Sequence, residues 1–112
     1  MNKVYIPSRG DIVWLTFNPK VGHEQSGRRP AIVISPRIYN EKSGLSLFCP
    51  ITSKIKGYPF EVQLSKPCPI QGVILSDQLK SLDWKVRNAE FVCETPQEIQ
   101  KDLFNKLKTL IL

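Results

Sequence analysis

Between Gly22 and Pro30 the chain reads Gly-His-Glu-Gln-Ser-Gly-Arg-Arg-Pro, which sets two guanidinium groups, a carboxylate and the only histidine of the protein within seven positions. A guanidinium is a planar fork of donors that matches a phosphate, and a carboxylate or imidazole can move a proton. Arg29 precedes Pro30, so its backbone is biased towards an extended conformation and its side chain can meet a phosphate with little ordering cost. Arg28 beside it is either a solvated loop cation or a second phosphate contact. Glu24 can accept a proton, or pair with one of the arginines and orient it. His23 has the reference pKa of a proton shuttle, although a lone loop histidine is more often just exposed.

Two further polar groups carry similar chemistry. Thr52 is followed by Ser53, Lys54 and Lys56, which together offer hydroxyls and two ammonium groups. Asp77, Gln78 and Lys80 form another group at the end of a short apolar run. With Tyr58 and Trp84 as stacking faces, three such loops suit a groove for single-stranded nucleic acid, although spacing does not show that they converge. The net charge of +6 favours a polyanionic partner: nucleic acid, an anionic membrane surface or an acidic protein. No basic amphipathic helix with an aromatic-rich apolar face is present, so a membrane is the weakest of the three. On residue types and spacing alone, the chain reads as a basic, β-rich module that binds nucleic acid.

Short strands must position these groups. Asp11 to Phe17, rich in β-branched and aromatic residues and set between Arg9-Gly10 and Asn18-Pro19, predicts a first strand. Both of its alternating sets are largely apolar, which predicts cover on both faces, one from the core and one from a loop or a second subunit. A loop of about a dozen residues follows, a length more often functional than not. Ala31 to Ser35 is a central strand, Arg37 to Glu41 a turn or helical piece, and Leu45 to Thr52 an alternating strand whose internal Pro50 predicts a bulge or an edge position. Phe60, Val62 and Leu64 alternate with polar residues as in a strand with one buried face. Val73 to Leu75 is a short central strand, and Leu82 to Val92 holds one or two more with a turn near Asn88. At the C-terminus Thr95, Pro96 and Glu98 spell a capping box ahead of Ile99, Leu103, Leu107, Leu110 and Ile111 at helical spacing. The fold class expected is mainly β: a small, strongly bent sheet or barrel of six or seven short strands with a C-terminal α-helix.

A chain of 112 residues predicts one domain, residues 1–112. No apolar run approaches the ~18 residues of a membrane span, and the N-terminus lacks a secretory h-region, so cytoplasmic residence is expected. Three widely spaced cysteines argue for reduced, mostly buried thiols rather than a disulfide framework. With one histidine and no C-x-x-C pair, neither a metal nor a cofactor is expected.

Five segments in register add a more specific signal. Gly10-Asp11-Ile12-Val13-Trp14, Gly22 to Pro30, Pro50-Ile51-Thr52-Ser53, Lys56-Gly57-Tyr58-Pro59-Phe60-Glu61-Val62 and Asp77-Gln78-Leu79-Lys80-Ser81 resemble the MazF/PemK family of toxin endoribonucleases, from about Tyr5 to the final helix. The resemblance implies an SH3-like barrel that forms a homodimer and cleaves single-stranded RNA at short motifs without a metal, leaving a 2′,3′-cyclic phosphate and a 5′-hydroxyl. It gives Arg29 and Thr52 the stabilisation of charge on the phosphoryl oxygens, and Glu24 an accessory role as proton acceptor or as orienter of Arg29. Lys56, Gln78 and Lys80 become RNA contacts; Arg28, Lys54 and Asp77 stand with them from their positions alone. Neither His23 nor Arg28 inherits a role from the family pattern. A cognate antitoxin with a flexible acidic tail is also implied, for which Trp14 is a docking point if it is not simply core. Two rivals remain at this level: a gyrase-inhibiting toxin of the same barrel, which has no need of the Arg29, Thr52 and Glu24 set, and an RNA-binding module that does not cleave.

Overall fold

The computed structural model describes residues 4–17 and 27–112. Its strands are β1 (Asp11–Thr16), β2 (Arg28–Val33), β3 (Leu45–Thr52), β4 (Glu61–Gln63), β5 (Val73–Leu75), β6 (Lys80–Asp83) and β7 (Glu90–Glu94), with helices α1 (Arg37–Ser43) and α2 (Gln97–Ile111). All pairings are antiparallel. The order is β4-β5-β3-β2-β1-β7, with β6 also on β3, so β4 and β7 form the two ends of a single bent sheet. The mainly β expectation holds, with seven strands and a C-terminal helix.

β3 is the hub. Its residues 48–50 pair with β2, while on the other side residues 45–48 pair with β6 and 51–52 with β5. Pro50 therefore lies in an interior strand, not at an edge. It falls in the gap between the β6 and β5 pairings, where a residue without an N–H is least costly.

The sheet folds its two faces around two cores. Ile12, Ile32, Cys49, Ile51 and Ile74 pack with Ile99, Leu103 and Leu107 of α2, while Val13, Leu15, Ala31, Val33 and Phe48 pack with Trp84. Ile12 on one face of β1 and Val13 and Leu15 on the other are thus covered from within the chain, while Trp14 stays half-buried. Trp84 is only 3% exposed and its Nε1–H donates to the Asn40 carbonyl at 2.8 Å, so it is a core pin and not a stacking face. Asn40, itself buried, donates to the carbonyls of Pro7 and Ser35, which ties α1 to the chain ahead of β1.

The C-terminal helix forms where its periodicity predicts, but its start differs. The N-cap is Pro96 with no side-chain cap, because the Thr95 hydroxyl donates instead to the Gly10 carbonyl at 2.8 Å. Thr95 is used to fasten the helix to β1 rather than to close a capping box. Ile99, Leu103 and Leu107 are buried, whereas Leu110 and Ile111 are exposed. Among the described residues no helix is long and apolar enough to cross a membrane.

Candidate active site

The ends of β2 and β3 build the site. Ala31 pairs with Pro50, Ile32 with Cys49 and Val33 with Phe48. Extending that register by two residues puts Arg29 directly across from Thr52, as neighbours on one face. Both line a cleft of about 660 Å³ together with Trp14, Pro30, Ile51, Ser53, Lys54 and the Pro69–Gln71 segment. Successive side chains of a strand point to opposite faces. A lining that mixes Arg29 and Thr52 with Trp14, Pro30 and Ile51 therefore means that the cleft lies across the strand ends.

Thr52 is poised as a donor. Its Oγ1 accepts the Lys54 N–H at 3.1 Å, a local turn that occupies the oxygen from one side and leaves the hydroxyl hydrogen for an anion in the cleft. Behind it the backbone is gripped by Gly72, whose φ is +125° and whose missing Cβ would lie 2.2 Å from the Thr52 carbonyl oxygen. Only glycine fits both the torsion and the approach.

A second, smaller depression of about 190 Å³ shares Thr52 and Lys54 with the first and adds Lys56, Tyr58, Glu61, Leu75, Asp77 and Gln78. Tyr58 is 59% exposed, and Lys56 Nζ lies 5.9 Å from the centre of its ring. The basic loop between β3 and β4 is held from below: Glu61 Oε2 accepts the Lys56 N–H at 3.0 Å and Oε1 the Gly57 N–H at 2.9 Å. Each carboxylate oxygen thus takes one amide donor, a charge-assisted pair that fixes the geometry of the loop.

The family model described as "PemK-like, MazF-like toxin of type II toxin-antitoxin system" matches residues 8–111. The chain belongs to this toxin family. A similar curated protein is the endoribonuclease toxin MazF of Escherichia coli strain K12, 47% identical over 97 residues that span 86% of each chain. Among solved structures the toxin is similar to MazF (Form-I) of Deinococcus radiodurans, at 48% identity and TM-score 0.87 over 96% of this chain and 98% of that one. It is also similar to the MazE-MazF complex (Form-II) of the same organism, at 44% identity and TM-score 0.86 over 96% and 97%.

Of the residues singled out in the toxin's sequence, Arg29, Thr52, Lys54 and Trp14 meet in the larger cleft, and Lys56, Asp77 and Gln78 join Thr52 and Lys54 in the smaller. Glu24 and His23 lie outside the described residues. Lys80 lines neither depression; its Nζ sits 5.9 Å from the centre of the Phe17 ring. Arg28 has another occupation. Its guanidinium donates to Thr16 Oγ1, the Asn88 carbonyl and Glu90 Oε1, each at 3.0 Å, and thereby ties β2 to the turn before β7. Its charge is paired with Glu90 instead of being offered to the cleft.

Three features escaped sequence reasoning. Glu61 reads as a polar position in an alternating strand, and its clamp on Lys56 and Gly57 has no signal beyond the tight Gly57-Tyr58-Pro59 turn beside it. The Pro69–Gln71 wall and Gly72 belong to a proline-rich stretch with no regular pattern; an isolated glycine opening a strand was the only available sign.

Proposed function

We propose that this MazF-type endoribonuclease toxin cleaves single-stranded RNA without a metal, by attack of a ribose 2′-oxygen on the adjacent phosphorus. As the bond to phosphorus forms, negative charge grows on the phosphoryl oxygens, and the bond to the 5′-oxygen breaks to leave a 2′,3′-cyclic phosphate and a 5′-hydroxyl. Donors fixed at that position lower the barrier because they bind the transition state more strongly than the ground state. Arg29 supplies the guanidinium and Thr52 the hydroxyl donor, with Glu24 as proton acceptor or orienter of Arg29. Lys54, Lys56, Asp77 and Gln78 contact the RNA on the Tyr58 side, and Lys80 meets it further along. The single observation that carries this reading is the convergence of Arg29 and Thr52 from adjacent strands on one cleft. Kinship with an endoribonuclease toxin favours cleavage over the gyrase-inhibitor and binding-only readings.

The reading extends to partners and context. Residues 1–112 form one toxin domain, which acts in the cytoplasm as a homodimer. A cognate antitoxin with a flexible acidic tail covers the cleft, attracted by the +6 charge, and seats an apolar side chain on Trp14, which stands half-buried beside Arg29 and Thr52. The test is incubation of the purified protein with a long single-stranded RNA in EDTA, with mapping of the 5′ ends. Cleavage to 5′-hydroxyl ends, slowed about 10²- to 10³-fold in Arg29→Ala as for loss of one transition-state donor, is the expected result. Intact RNA across many sequences overturns the proposal.

A further inference from the structure

Two of the three cysteines meet in the fold although they stand 25 positions apart: Cys68 Sγ and Cys93 Sγ are 2.9 Å from each other. Both are free thiols. A disulfide needs about 2.05 Å, so the two sulfurs stand within about an ångström of bonding. Each sits on constrained backbone. Cys68 lies between Pro67 and Pro69, whose rings restrict φ, and Cys93 is held in β7 opposite Ile12 of β1. The third thiol, Cys49, has a different partner, the Ser76 carbonyl, and burial, then the Asp77 carboxylate, pushes it up to about 12.

We propose that Cys68 and Cys93 form a modification site, which a hydroperoxide-class oxidant converts into an intrachain disulfide. One sulfur, as thiolate, attacks a peroxide oxygen to become a sulfenic acid, and the hydroxide released takes up the first thiol's proton to leave as water. The second sulfur then displaces the sulfenic oxygen, which departs as a second water with the second thiol's proton. Two thiols are oxidised and one hydrogen peroxide is reduced. Burial, then the hydrogen bond with Cys68, raises the Cys93 thiol above its ordinary range, so Cys93 is a slow nucleophile at neutral pH. The bond ties the loop that carries the Pro69–Gln71 wall of the cleft to β7, at the opposite end of the strand order from β4.

The experiment exposes the purified full-length protein to excess hydrogen peroxide at mildly alkaline pH, blocks remaining thiols and maps unreduced peptides by mass spectrometry. The expected product is one peptide pair joining Cys68 to Cys93, two hydrogens lighter than the reduced pair and released by dithiothreitol. Closing a loop of this length constrains the unfolded chain, so the melting temperature rises by roughly 10 °C. Cys49→Ser retains the link and Cys93→Ala loses it. The wild-type map alone decides the matter: only sulfenic or sulfinic products, or links through Cys49 or between chains, overturn the proposal. Because no RNA is involved, this outcome is independent of whether the protein cleaves RNA.

Discussion

Replacing Thr52 by valine keeps the shape of the side chain and removes its hydroxyl, so two losses can be separated. The first is structural. Thr52 Oγ1 accepts the Lys54 N–H at 3.1 Å, but Lys54 is exposed and that N–H can turn to water, which limits the cost to about 1 kcal/mol or less and the fall in melting temperature to a few degrees. The second is chemical. In the mechanism proposed above the hydroxyl donates to the developing charge on the phosphoryl oxygens, and losing one such donor costs about 2.7–4 kcal/mol of transition-state stabilisation, or roughly 10²- to 10³-fold in rate. Thr52→Ser retains the donor and the turn, and most of the rate with them. The assay is single-turnover cleavage of a long single-stranded RNA in EDTA with enzyme in excess, which removes product release from the measurement. A valine variant that cuts within about threefold of wild type, or a serine variant as slow as the valine one, would refute the donor role of Thr52.

Lys56→Ala weakens RNA binding and makes the slope of log K against log salt shallower by about 0.7, the value for one phosphate contact on a single strand; an unchanged slope, read from fluorescence-anisotropy titrations, takes Lys56 out of the groove. In Glu61→Ala the amides of Lys56 and Gly57 lose their acceptor, so KM for RNA rises by about tenfold with kcat little changed, and the effect is not additive with Lys56→Ala; additive losses would show that Glu61 does not act through that loop. Asp11 is raised above its ordinary value, chiefly by burial, although the hydrogen bonds from the Tyr5 hydroxyl and the Ser8 N–H act the other way. A folded-state pKa above the unfolded one gives stability that is present at low pH and lost as pH rises through the folded value. Asp11→Asn, which keeps an acceptor for Tyr5, therefore gains in melting temperature relative to wild type between acid and neutral pH. A difference that stays flat or shrinks over that range contradicts the assignment.

Local signals carried far into this fold and stopped where contacts became non-local. Alternation and unbroken apolar runs located strands within Asp11–Phe17, Ala31–Ser35, Leu45–Thr52, Phe60–Leu64 and Val73–Leu75, because a half-buried pleated surface imposes period two on its own neighbours, although β2 begins at Arg28, three residues ahead of its apolar run. Of the two readings of Pro50, a bulge or an edge, the edge fails, because its exemption comes from a change of partner along β3, set by strands that lie 20 and more residues away. Thr95 spelled a cap, yet Gly10, 85 positions earlier, claims its hydroxyl. Arg28 and Arg29 look alike in sequence; one residue of pleat separates a guanidinium tied to Asn88 and Glu90 from one that lines the cleft. The approach of Cys68 to Cys93 had no trace in their spacing.

The contact between Gly72 and the Thr52 carbonyl divides the β4–β5 connection into two parts with different freedom to evolve. Upstream of Gly72 the exposed Ser65, Lys66, Pro67, Pro69 and Gln71 can change side chain at little cost in stability, while Cys68 and Ile70 between them are held by the core, and each exposed change reshapes the wall of the cleft. Gly72 itself is the fixed end: any side chain there would push on the backbone of Thr52. Selection can therefore reshape the cleft wall without disturbing the backbone of Thr52, the residue proposed to stabilise the reaction. Relatives of this toxin should accordingly diverge in sequence along this connection while retaining a residue without Cβ at its end.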